Sequence, residues 1–325
     1  MKNILVVFTG GTFSMRIDEK TGAAVPCLNG DDLLKLIPGA KGLANLSTYD
    51  FGMYPGPHMT PELMLELSKK VQEFVDKDDI DAVIVTHGTD TLEETSYLVD
   101  LTVKTEKPVV FIGAMKTSSD EDWDGPRNLI DALYVCNNEN SKGLGVLVVL
   151  DGEINAASEV TKTHTEKVET FSSLDFGSMG FVDRGRVFFN RAPRKLELIQ
   201  TENLNSNVDL IKVYAGMDDK FFKLSVDSGV EGLVVEAMGV GNVPPKAFDG
   251  IKYARERGIP VILTSRCPAG EITDAYGYPG AGKWLRNIGV KSADYLNGQK
   301  ARIKLILALG LTSDIDELAK LFDDE

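Results

Sequence analysis

The chain has 325 residues, 43% of them hydrophobic and 26% charged, and a net charge of −14 at pH 7. That composition belongs to an ordinary globular protein with length enough for two domains. The acidic balance repels phosphate and argues against nucleic-acid or anionic-membrane partners, and no apolar run approaches the roughly 20 residues that span a bilayer.

In chain order, "MKNILVVFTGG" has no small-residue cleavage site and reads as a first strand rather than a leader. Cys27, Cys136 and Cys267 are scattered, without disulfide or zinc spacing, which points to a reducing cytoplasm. Residues 14–30, polar and glycine-bearing, form a candidate lid. "NILVVF", "DAVIVTHG", "PVVFIGAM" and "GVLVVLDG" read as strands, and "TPELMLELSKKVQEFV", "LEETSYLVDLTVK" and "PRNLIDALYVCNN" carry helical spacing. Near-continuous Val/Ile/Leu runs imply burial on both faces. The expected fold is therefore α/β: a mostly parallel, doubly wound sheet in a larger N-terminal domain, residues 1–190. A polar linker, 191–208, precedes a smaller α/β C-terminal domain, 209–325, that includes "LIKVYA", "GLVVEAMG", "PVILTSRC" and "QKARIKLILALGL".

Ligands in such sheets bind beyond the carboxyl ends of the strands. Three segments fall there: Thr9 to Thr12, Thr86 to Thr91, and Gly113 to Met115. Two adjacent glycines, Gly10 and Gly11, suggest that something approaches the backbone closely. The segment matches neither a dinucleotide fingerprint nor a P-loop, and a plain tight turn with Thr12 capping a helix remains open. In "VTHGTDTLEET", Thr91 and Glu94 have capping-box spacing, which leaves Thr89 and Asp90 unaccounted for. Lys162 in "SEVTKTHT" is either a surface lysine or a group that eases deprotonation of a hydroxyl beside an aspartate. His58, His87 and His164 show no ligand pairing, so no metal site is expected, and His87 reads as structural.

Together, "FTGGTFSM", "VIVTHGTDTLEETSYLVDLTVKTEKPVVFIGAM", "DGPRNLIDALYV" and "EVTKTHT" resemble the bacterial-type L-asparaginases over nearly the whole chain. The resemblance implies hydrolysis of asparagine to aspartate and ammonia without a cofactor. It implies a homo-oligomer, dimer or tetramer, with each site completed by a neighbouring subunit. By the family pattern Thr12 is the nucleophile, Thr89, Asp90 and Lys162 complete the catalytic set, and the Ala114 carbonyl accepts a bond from the substrate amide. Gly11, Gly56, Pro57 and Gly88 are the remaining expected substrate-binding positions. The Gly11 and Thr89 amides are expected to hold the oxyanion. Three features depart from the pattern. The lid has alanines, Ala23 and Ala24, where a tyrosine is usual, and "YPGPHM" has Gly56 and Pro57 where a serine and a polar residue usually meet the α-carboxylate. The acidic residue often lent by the neighbouring subunit is not obvious in "AGEITDAYGYPGAG". Tyr276 of a neighbouring subunit is a candidate for the missing phenol. Alternatives are an amidase for glutamine or D-asparagine, the amidase subunit of a tRNA-linked amidotransferase, and an amino-acid-binding protein without turnover.

Overall fold

A computed structural model describes residues 1–18 and 20–322. The chain divides after Leu198 into two compact units. The first holds strands β1 (Asn3–Gly10), β2 (Met15–Ile17), β3 (Ala24–Pro26), β4 (Asn45–Tyr54), β5 (Ala82–Thr86), β6 (Val109–Ile112), β7 (Val146–Leu150), β8 (Glu153–Ala156), β9 (Thr161–Lys162), β10 (Phe171–Ser172), β11 (Gly180–Asp183) and β12 (Arg186–Phe189). Its α-helices are α1 (Gly30–Lys35), α2 (Pro61–Val75), α3 (Leu92–Thr102) and α4 (Gly125–Asn137).

Eight strands form one sheet in the order β12-β11-β8-β7-β6-β5-β1-β4. From β4 to β7 every pairing is parallel, and β8, β11 and β12 extend it antiparallel. Ile4, Val6, Val7, Val83, Ile84, Val85, Val110, Phe111 and Ile112 are wholly buried, the pattern of strands covered on both faces. Alternate residues Ile4, Val6 and Phe8 pack with Leu33 of α1 and Leu129 and Leu133 of α4. The pleat turns Leu5 and Val7 to the other face, where α2 and α3 pack against each other and against the sheet. Each such buried aliphatic side chain contributes about 1.5–3 kcal/mol relative to exposure.

The second unit has a parallel four-stranded sheet, β13 (Val208–Lys212), β14 (Gly232–Ala237), β15 (Val261–Ser265) and β16 (Lys291–Ser292), in that order. Helices α5 (Lys220–Asp227) and α6 (Pro245–Arg255) cover one face through Phe222 and Ile251. Helix α8 (Gly298–Leu311) covers the other through Leu305 and Ile306. Between and after these lie α7 (Gly282–Asn287) and α9 (Ile315–Lys320).

The large sheet sets the position of the site. From β1 the chain moves to β4 on one side, then crosses to β5 on the other and continues outward to β6 and β7. The winding direction reverses beside β1, and a crevice opens at the carboxyl ends where it does so. The turns after β1 and β5 flank that point.

Candidate active site

Four turns converge at the crevice, and glycines let them do so. Gly10 and Gly11 follow β1 with φ of 103° and 71°, conformations that L side chains rarely adopt. A methyl on Gly11 would lie 2.5 Å from both Cα and N of Gly88, in the turn after β5. One on Gly88 would lie 2.8 Å from Cα and N of Gly56, in the turn after β4. One on Gly113, after β6, would lie 2.9 Å from Cγ2 of Thr89. Hydrogen bonds fasten the assembly. The Thr9 hydroxyl donates to the Thr86 carbonyl (2.9 Å), and the Thr91 hydroxyl donates to the Gly56 carbonyl (2.8 Å).

The last bond corrects one expectation. Thr91 does stand at the N-cap of α3, but no side-chain cap bond forms there, because its hydroxyl is engaged by a loop 35 residues away. A second correction concerns Gly11. Its N–H donates to the Tyr54 carbonyl at 3.0 Å, so it is not held in reserve for an oxyanion. Thr12 opens a single 3-10 turn, Thr12–Ser14, whose N-cap is Gly11 and which has no side-chain cap. Thr12 therefore caps no helix.

Thr89 is buried, while its neighbour Asp90 is exposed. Lys162, on the short β9–β10 ribbon, reaches both: its Nζ donates to Thr89 Oγ1 at 2.9 Å and to Asp90 Oδ1 at 2.8 Å. Residues more than 70 positions apart thus form one hydroxyl–amine–carboxylate chain. The Lys162 side chain is only 16% exposed, so the surface-lysine reading fails. Behind it, the buried carboxylate of Glu93 lies 3.5 Å from the Lys162 backbone nitrogen.

His87 is wholly enclosed, and burial pushes its imidazole down to about 4. It is neutral near pH 7, and Nδ1 carries the proton donated to the Gly88 carbonyl at 2.8 Å. That bond fixes the plane of the peptide leading into Thr89. Among the described residues no group of three or more His, Cys, Asp or Glu side chains is arranged for a metal.

Ala114 is fully buried at the end of β6. Gly56 is buried in a 3-10 turn, Gly56–His58, from which Pro57 and His58 project into solvent. The candidate lid is the β2–β3 hairpin, tied to the loop after β6 by Ser118 (Oγ to the Met15 carbonyl, 2.9 Å) and Ser119 (Oγ accepting from Ile17 N, 3.0 Å). Tyr276 belongs to the second unit, between β15 and α7, half-exposed beside Tyr278 with ring centroids 5.7 Å apart. The sequence reading missed Asp124 and Asn128, which hold the loop containing Ala114. Their signal in the sequence is the "DGPRN" segment, Asp124 to Asn128, at the start of α4.

The chain is similar to known proteins over nearly its whole length. Residues 3–195 match the model "Asparaginase, N-terminal", and residues 207–322 match "Glutaminase/Asparaginase C-terminal domain". The chain is 34% identical to the Haemophilus influenzae protein named "Probable L-asparaginase periplasmic", covering 100% of this chain and 93% of that one. It is likewise 34% identical to "L-asparaginase 2" of Escherichia coli, over 99% of this chain and 93% of the other. The crystal structure of a "Probable Cytoplasmic L-asparaginase" from Campylobacter jejuni superposes with a TM-score of 0.89 at 33% identity, covering 99% of each chain. The chain belongs to the asparaginase family.

Proposed function

We propose that the protein hydrolyses L-asparagine to L-aspartate and ammonia by double displacement. The observation that carries this reading is the single ammonium or amine of Lys162 bridging Thr89 Oγ1 and Asp90 Oδ1. A hydroxyl–lysine–carboxylate chain has the logic of a catalytic triad with lysine in place of histidine. In the proposed sequence the Thr12 hydroxyl attacks the side-chain amide carbon and its proton passes toward the Thr89–Lys162 pair. The C–N bond breaks, ammonia leaves with that proton, and an ester to Thr12 remains. Water then adds to the ester, returns the hydroxyl to Thr12 and releases aspartate. The Thr89 N–H, set by the His87–Gly88 bond, faces the oxyanion together with the Thr12 N–H. The second oxygen of Asp90 receives the substrate α-ammonium.

Gly11, Gly56, Pro57, Gly88 and Ala114 line the substrate in this reading, with His58 near its α-carboxylate. Tyr276, exposed on the isolated chain, completes the site of a neighbouring subunit in a homodimer or homotetramer. The cytoplasmic description of the Campylobacter jejuni relative supports the same location here.

The test is ammonia release from L-asparagine and L-glutamine by wild type, Thr12→Ala and Lys162→Met, with hydroxylamine trapping of any acyl group. Loss of turnover in both variants supports the reading. Turnover that survives Thr12→Ala removes Thr12 as nucleophile.

A further inference from the structure

The loop that follows β6 is held from both sides of Ala114. The carbonyl before it, of Gly113, accepts a bond from Asn128 Nδ2 at 2.9 Å. The N–H after it, of Met115, donates to both carboxylate oxygens of Asp124 at 3.1 and 3.0 Å, and the Lys116 N–H adds a third bond at 3.0 Å. Asn128 Nδ2 also donates to Asp124 Oδ2 (3.2 Å), and its Oδ1 accepts from Asp151 N (2.9 Å). Asn128 is 1% exposed and thereby links the ends of β6 and β7.

The geometry has a direct consequence. Among the described residues no peptide is cis. In a trans peptide the N–H and the preceding C=O point in opposite directions. Fixing the Met115 N–H on Asp124 therefore fixes the Ala114 carbonyl, facing away from that carboxylate. A hydrogen bond from the same N–H to an anion also polarises the peptide and makes its carbonyl a stronger acceptor. The segment touches the nucleophile's turn as well: Trp123, beside Asp124, packs edge-on against Phe13, beside Thr12, with ring centroids 5.8 Å apart.

We propose that Asp124 and Asn128 are positioning residues that aim and polarise the Ala114 carbonyl toward the leaving amide nitrogen, so that they govern amide hydrolysis and leave ester hydrolysis largely untouched. The proposal rests on the asparagine-hydrolysing reading above. An amide offers an N–H to that carbonyl, whereas an ester presents an alkoxy oxygen with no proton to donate.

The experiment compares L-asparagine with L-aspartic acid β-methyl ester on the full chain, for wild type, Asp124→Asn and Asn128→Asp. The quantity read is the ratio of kcat/KM for ester over amide. A partly folded sample lowers both rates together, so the ratio is insensitive to folding yield. Asp124→Asn is expected to lower kcat/KM for asparagine about tenfold and to leave the ester within about twofold. Asn128→Asp, which keeps the acceptor for Asp151 and loses the donor to Gly113, is expected to shift the ratio the same way. A parallel fall on both substrates, or an unchanged ratio, overturns the proposal while the functional reading stands. A wild type that hydrolyses neither substrate overturns both.

Discussion

Gly11 and Gly88 meet backbone to backbone, with no room for a methyl group between the turns that carry Thr12 and Thr89. Gly11 also has φ 71° and ψ −175°, a combination open essentially to glycine alone. Gly11→Ala combines backbone strain with a clash against main-chain atoms that cannot swing away. The expected loss is at least about 2 kcal/mol of stability, together with turnover. Gly216→Ala is the control: φ is 78° there, but nothing lies within 4 Å of the added methyl, so strain alone acts, at about 1 kcal/mol. Denaturant melts of the two variants separate crowding from strain, and equal losses would refute the crowding argument.

Lys162→Met removes the bridge between Thr89 and Asp90. Asp90 is 59% exposed, and ion pairs with one solvated partner contribute little to stability, about 1 kcal/mol or less. Turnover of L-asparagine is expected to fall by about a thousandfold or more while the melting temperature moves little. A large stability loss would mark Lys162 as a structural residue.

Thr91→Val removes the bond that holds the Gly56 carbonyl from α3. The Gly56–His58 turn is then less well fixed. KM for L-asparagine is expected to rise about threefold to tenfold with kcat little changed. A capping-box role would instead show as lost helix stability without a KM effect, and steady-state kinetics beside a melt distinguishes the two.

Asp131, on the inner side of α4, has its Oδ2 buried without a hydrogen-bond partner among the described residues. Burial raises its carboxyl to about 6, against the opposing pull of Arg127, whose charge sits 3.6 Å away on a largely exposed side chain. The folded-state value exceeds the unfolded one, so the fold favours the protonated acid. The cost is complete above about pH 6 and gone below about 3.8. Asp131→Asn is therefore expected to stabilise the protein by about 1 kcal/mol at pH 8, relief of the buried charge being offset in part by the lost attraction to Arg127. The advantage fades as the pH falls from 6 toward 4, and urea melts across that range check both the sign and the window.

Strands β1, β5, β6 and β7 were legible because they are buried on both faces, which writes an unbroken apolar run into the sequence. Strand β4 is not among the predicted strands, since "NLSTYDFGMY" lies at the sheet edge, is nowhere fully buried and carries neither an unbroken apolar run nor a regular alternation. Thr12, Thr89, Asp90, Lys162 and Ala114 were singled out as motifs and by resemblance. Their partners were hidden, because a bond such as Thr91 to Gly56 spans 35 residues and obeys no local spacing rule. For the same reason local spacing makes Thr91 a cap and the Gly11 N–H a spare donor, and the fold uses both elsewhere. Local rules assign a polar group to the nearest available use, whereas in the fold distant turns compete for it.

The place of β1 bears on how the protein is best produced. Its carboxyl end is joined to β5 by a side-chain bond spanning 77 residues, and its registers with β4 and β5 pair Ile4 with Leu46 and Ala82. Until those distant strands are available, an apolar ribbon lacks cover on either side. Non-local parallel pairing forms slowly and leaves time for aggregation. Recovery from a denatured pellet is thus governed by competition between intramolecular docking of this strand and its capture by other chains. Dilution, which slows only the second process, will improve the yield of native enzyme.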